Sequence, residues 1–136
     1  AKGRRIFKSN AALACMRCHK GADGEGGLVG PDLRGLATRA TRLATLESIA
    51  APNRKITAGY QGAAIFLKDG TLVTGRVERD VRGHLFVRKA DDQVTELDAE
   101  RIAERRIDVS AMPENLTQLL SKEEMRDLLE YLAGMK

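Results

Sequence analysis

The residues best placed to do chemistry are Cys15, Cys18 and His19, in the stretch CMRCH, which holds the only two cysteines of the chain and one of its two histidines. That spacing serves three chemistries: a redox dithiol, part of a zinc site, or covalent attachment of haem. A dithiol oxidoreductase needs Cys-x-x-Cys at the start of a helix that follows a strand, where the helix N-terminus lowers the thiol pKa. Here Ile6, Phe7, Asn10, Leu13 and Ala14 recur at helical spacing, which predicts one amphipathic helix ending in the motif. For a dithiol that geometry is backwards. A structural zinc site takes four ligands, and beyond Cys15, Cys18 and His19 only His84 remains, in a strand pattern. Placing the adjacent Cys18 and His19 on one tetrahedral ion is also strained. Haem attachment fits the motif best. One turn of backbone presents two thiols to the two vinyl groups and turns an imidazole towards the iron, with Met16 and Arg17 as spacers.

Iron held by His19 leaves a sixth position, and four methionines compete for it. Met16 lies inside the attachment loop and cannot reach the opposite face. Met125 falls on the apolar side of a helical pattern, where packing explains it. Met135 is nearly terminal and is expected to fray. Met112 remains, in an irregular stretch stiffened by Pro113. A histidine–methionine pair raises the reduction potential and suits electron transfer.

Three zones must position these groups: residues 1–59, 60–109 and 110–136. The first reads as helical segments around GADGEGGLVGPD, a stretch too rich in glycine to stay helical. A second helix is predicted from about Thr41 to Ala51, with Leu43, Leu46, Ile49 and Ala50 on one side and Pro52 ending it. The middle zone changes period. AAIFLKDGTLVTGRVERD is a hairpin pattern turning at Asp69 and Gly70, and GHLFVRKADDQVTELD repeats it, with turns near Gly83 and at Asp91–Asp92. Together with RRIDV this predicts four or five short antiparallel strands. In the last zone Ser121 and Glu124 form a capping box ahead of Met125, Leu128, Leu129 and Leu132, and Gly134 closes the helix.

Composition removes other classes of function. The net charge is +4, but basic and acidic residues are interleaved and aromatic residues make up only 4% of the 136. This is a solvated surface with no base-stacking platform, so nucleic acid is not expected as a partner. No apolar run is long enough to span a bilayer. The scarcity of aromatic bulk also suits a chain whose core is completed by a large apolar cofactor. The N-terminal residues lack the apolar core of a signal peptide, so an export signal is expected to have been removed or the chain to be part of something larger.

Taken together, GRRIF, CMRCHKGADGEGGLVGPDL, LESIAAPNRKITAGY, LKDGTLVTGRV and SAMPENLTQLLSKEEMRDLLEYL make the chain resemble a class I-like cytochrome c. It is most similar to the C-terminal haem-binding domain of multidomain proteins of planctomycetes and verrucomicrobia. The resemblance implies a mainly α cytochrome c fold with an inserted small antiparallel β-sheet or barrel, α+β overall. It implies that Gly3 and Phe7 lie where the first helix crosses the last, with Tyr131 as aromatic partner. It also implies that the Pro31 carbonyl accepts the proton on the second nitrogen of His19, that Met112 is the distal ligand, and that Tyr60, Arg34 and Arg54 meet the haem propionates. Residues 1–59 would then form the attachment part of the core, 60–109 the β-rich insert, and 110–136 the methionine loop and closing helix.

The expected function is therefore an electron carrier rather than an enzyme, with one covalent haem c bound through Cys15 and Cys18 and ligated by His19 and Met112. Its redox partner would be a fused or associated dehydrogenase, and haem attachment implies a periplasmic or otherwise extracytoplasmic site. The β-rich zone, lacking any cluster of catalytic groups, is expected to shield the haem or dock a partner. The alternative is a haem-based gas sensor or ligand-binding module whose methionine swings away.

Overall fold

The computed structural model describes residues 1–136, the side chain of Asp108 excepted. Helix α1 (Lys2–Ser9) buries Gly3 and Phe7. It stops where Asn10 turns extended and its side-chain oxygen accepts the N–H groups of Ala12 (3.0 Å) and Leu13 (3.1 Å). Side-chain bonding of this kind replaces the next helical turn. The single helix predicted up to the cysteines is thus two pieces. The second, α2 (Cys15–Cys18), is one turn long and starts from Ala14 in the left-handed region at φ 51°.

Two further helices follow the glycine-rich loop, α3 (Leu36–Arg39) and α4 (Arg42–Ala50). The Thr41 hydroxyl caps α4 by accepting from the Ala44 N–H at 3.1 Å. Of the apolar side predicted for this helix only Ile49 is buried, and Leu43 is 64% exposed. At the other end of the chain, α5 (Lys122–Ala133) carries its capping box in full. Ser121 Oγ accepts from the Glu124 N–H at 3.0 Å, and Glu124 Oε2 accepts from the Ser121 N–H at 2.8 Å. Phe7, Leu13, Ile49, Leu116, Leu128, Leu132 and Met135 form the core these helices share. Met135 does not fray: it is buried, and its carbonyl accepts from the Ala37 N–H at 2.9 Å.

The crossing of α1 and α5 sets how tightly that core closes. A Cβ on Gly3 would stand 2.0 Å from the Asp127 carbonyl oxygen and 2.7 Å from Tyr131 Cβ, so only glycine admits this approach. One turn on, the Phe7 and Tyr131 rings meet at 5.7 Å, tilted by 50°, a favourable aromatic arrangement.

Between α4 and α5 the chain builds one antiparallel sheet of five strands: β1 (Gly62–Leu67), β2 (Leu72–Val81), β3 (His84–Arg88), β4 (Val94–Asp98) and β5 (Ile102–Val109). Their spatial order is β4-β3-β2-β1-β5. Alternate residues point inwards, as the period of a strand requires. Ala63, Ile65, Leu67, Val73, Leu85, Val87 and Leu97 form a second core, distinct from the helical one.

This second core corrects the expected fold class. A mainly α fold with a small β insert does not describe the chain, which is 33% helical and 26% strand. Two of the five helices are single turns, and the glycine-rich loop contributes none. The sheet has a full apolar interior with Ile65 and Val87 at 0% exposure. It is a structural unit of equal weight rather than an ornament on a helical domain.

Gly3→Ala measures the crossing. In an open helix this change gains about 0.5–1 kcal/mol, but here the methyl meets fixed backbone, and overpacking of this kind costs about 1–3 kcal/mol. The urea midpoint is expected to fall. A midpoint that rises shows that helix propensity outweighs the contact.

Candidate functional site

The attachment motif is presented by α2 and wrapped by the loop that follows it. The His19 N–H donates to the Cys15 carbonyl at 3.0 Å, closing the turn. The loop then folds back over it: the Gly27 N–H donates to the Met16 carbonyl at 2.9 Å, the Gly30 N–H to the Cys18 carbonyl at 2.8 Å, and the Leu33 N–H to the Lys20 carbonyl at 3.0 Å. The glycines of this stretch therefore serve close packing. At Gly30 an added Cβ would lie 2.5 Å from Cε1 of the His19 ring. The loop is seated directly against the imidazole.

Next to Gly30, the Pro31 carbonyl lies 2.8 Å from His19 Nδ1. A carbonyl can only accept, so Nδ1 carries the proton and Nε2 keeps its lone pair for a metal. Burial pushes the His19 pKa down, and the Pro31 bond partly opposes it, so the ring is neutral near neutral pH. Both cysteines are free thiols. Burial pushes the pKa of each up; at Cys18 the neighbouring Arg17 charge opposes this and the Asp92 carboxylate adds to it, both less strongly than burial. A dithiol oxidoreductase needs the opposite shift. His84, the remaining histidine, sits on β3 and pairs with Glu96 at 2.9 Å.

Met112 is half-buried and packs against the same helical cluster that Cys15 joins. Its backbone is pinned from outside the loop. Ser110 Oγ accepts from the Met112 N–H at 3.1 Å. The Ser110 N–H donates to Asn53 Oδ1 at 2.6 Å, and Asn53 Nδ2 donates to Glu114 Oε1 at 2.5 Å. Asn53 thus holds the loop on both sides of the methionine. Sequence reading missed it, because an asparagine after a proline reads as an ordinary turn residue. Met16 and Met125 also pack on this cluster, the first within α2 and the second within α5.

The residues expected at the propionates divide. Arg34 is exposed and spent on Asp32: its Nε lies 2.9 Å from Oδ2 and 3.1 Å from Oδ1, and Nη2 lies 2.5 Å from Oδ2. Arg54 is exposed too. Tyr60 is half-buried, with the Arg76 guanidinium 4.9 Å from its ring centre. Arg76 Nε is a buried donor without a partner, and a buried donor of this kind calls for an acceptor. Two thiols and an imidazole with Nε2 available fit a covalently attached haem, and the unpartnered Nε of Arg76, whose Nη2 already meets Glu78, adds one donor beside Tyr60. Among the described residues no cluster of three or more histidine, cysteine or acidic side chains offers a competing metal site.

The Asp32–Arg34 pair generates a titration. The Arg34 side chain, and then its backbone N–H, hold the Asp32 pKa down at about 2. A carboxyl lowered in the folded chain stabilises it above the ordinary value of 3.8, and that stability is lost as pH falls from there through about 2. Arg34→Ala is expected to return the Asp32 midpoint, followed by carboxyl NMR, towards 3.8. A parent chain already titrating there shows that Arg34 is not committed to Asp32.

The family model described as cytochrome c matches residues 1–80, which takes in the attachment motif, the loop and the first strands. Met112 and α5 lie beyond the matched span. No curated protein matches the chain. More than half of the sequence being matched, the chain belongs to the cytochrome c family, whose members are electron-transfer modules carrying covalently bound haem c.

Proposed function

We propose that the chain carries single electrons on one haem c anchored at Cys15 and Cys18 and ligated by His19 and Met112, in the service of a fused or associated dehydrogenase. The observation that carries this reading is the Nδ1–H bond from His19 to the Pro31 carbonyl, which leaves Nε2 as the free donor next to the two thiols. Bound haem supplies a one-electron iron couple, and the chain supplies the ligands and the surroundings. Cys15 and Cys18 Sγ fix the ring in place. Pro31 holds the proton at His19 Nδ1 and so fixes the plane of the imidazole and strengthens its donation. Asn53 and Ser110 stiffen the loop bearing Met112, which limits the movement needed between redox states. Tyr60 and the Nε of Arg76 are proposed to meet the propionates in place of Arg34, because a buried carboxylate needs a donor.

In this reading residues 1–59 and 110–136 close round the haem, and 60–109 stand beside them with a core of their own, reaching the propionates through Tyr60 and Arg76. The chain is proposed to be a haem-binding domain of the kind found at the C-terminus of planctomycete and verrucomicrobial multidomain proteins, with an attached dehydrogenase as electron donor. An extracytoplasmic, periplasmic location follows from where c-type cytochromes generally work. No helix among the described residues is long and apolar enough to cross a membrane.

Met112→Ala tests the distal ligand. The parent chain is expected to be low-spin when reduced and indifferent to carbon monoxide. The variant is expected to have a lower potential and to bind carbon monoxide rapidly, as read by absorbance and redox titration. An unchanged spectrum assigns the sixth position elsewhere, and rapid binding by the parent favours a gas sensor with a displaceable methionine.

A further inference from the structure

The sheet and the helical part bury separate cores, so apolar packing does not explain how the sheet meets the haem loop. They meet at the backbone of Leu28. The Leu28 N–H donates to Asp92 Oδ1 at 2.9 Å, and Arg76 Nη2 donates to the Leu28 carbonyl at 2.8 Å. Both polar groups of one peptide position are held by two different parts of the sheet, β2 and the β3–β4 turn.

The two jaws are joined behind the contact. Arg76 and Arg88 stand directly opposite each other across β2 and β3, a pairing that like charges make unfavourable. A register shift between Val77 and Arg79 leaves Glu78 as the extra residue of a bulge, and bulges re-aim side chains. Glu78 lies between the two arginines, accepting from Arg76 at 3.1 Å and from Arg88. Its pKa is pulled down, chiefly by the Arg88 hydrogen bond. Arg88 in turn donates through Nη1 to the Asp92 carbonyl at 2.8 Å. Asp92, Arg88, Glu78 and Arg76 thus form one hydrogen-bonded chain, and Leu28 closes it into a ring.

Leu28 stands three residues before Pro31. Between them Val29 is buried, and Gly30 is tied to the Cys18 carbonyl and seated against the His19 ring. A displacement at Leu28 therefore reaches the Pro31 carbonyl through a short, packed segment. We propose that the sheet sets the proximal side of the haem: Asp92 and Arg76 are positioning residues that hold the loop so that Pro31 keeps its bond to His19. This rests on His19 as the proximal ligand. The bond strengthens imidazole donation, so loosening it raises the reduction potential.

Asp92 has φ 64°, a conformation that glycine and asparagine tolerate and alanine resists. The test therefore compares Asp92→Gly with Asp92→Asn in the haem-loaded chain, by hydrogen exchange and redox titration. Asp92→Gly removes the acceptor. It is expected to speed exchange at the Leu28 and Gly30 N–H groups about fivefold or more, the loss of one net hydrogen bond, and to raise the potential. Asp92→Asn removes the charge but keeps the oxygen, and is expected to leave exchange near that of the parent and to shift the potential less. Equal potential shifts in the two variants assign the effect to charge alone and overturn the proposal. So does unchanged Leu28 exchange in Asp92→Gly. A low-spin haem spectrum throughout leaves the ligation of His19 standing in either case.

Discussion

One hydrogen bond organises this chain: the His19 Nδ1–H on the Pro31 carbonyl, at 2.8 Å. An imidazole can serve a metal through either nitrogen, and the ring is free to rotate unless one nitrogen is engaged. Holding a backbone oxygen against it requires the loop from Lys20 to Leu33 to come back over the cysteine turn. The backbone bonds from Gly27, Gly30 and Leu33 to Met16, Cys18 and Lys20 do this. The density of glycine in the loop follows from the same demand, because side chains at its closest approaches would overlap the turn or the imidazole.

The rest of the molecule supports that loop, and the methionine loop with it, from three directions. On one side α1 reaches it through Lys8, which pairs with Asp23 and Glu25. The Gly3 crossing and the Phe7–Tyr131 contact in turn hold α1 against α5. From another, Asn53 and Ser110 restrain the methionine loop. From the third, the sheet grips Leu28. Apolar burial builds each half, but it is not directional and cannot choose a register between them. The polar contacts at Leu28 and Asn53 have fixed geometry and set how the halves meet.

The sheet changes what kind of cytochrome domain this is. Its strands carry their own interior, and the family match ends within β2. The contact it makes is with backbone atoms next to the attachment site, through residues that also neutralise one another. Such a unit can influence the haem without contributing a ligand.

Much of this was legible in the residues. The Cys15–Cys18–His19 spacing, the capping box at Ser121 and Glu124, and the hairpin turns are local signals, each set by neighbours within a few positions. Where local reading failed, a side chain had another use. Asn10 broke a helix whose periodicity ran on, and Leu43 kept its place in a helical pattern but faced solvent. The overall balance of helix and strand was also misjudged, since the pattern of a strand does not say whether its sheet will enclose a core of its own. Only the folded chain brings Asp92 and Arg76 to Leu28, and Asn53 to Ser110. These are approaches between residues dozens of positions apart, decided by how whole elements pack, and no short stretch of sequence contains them.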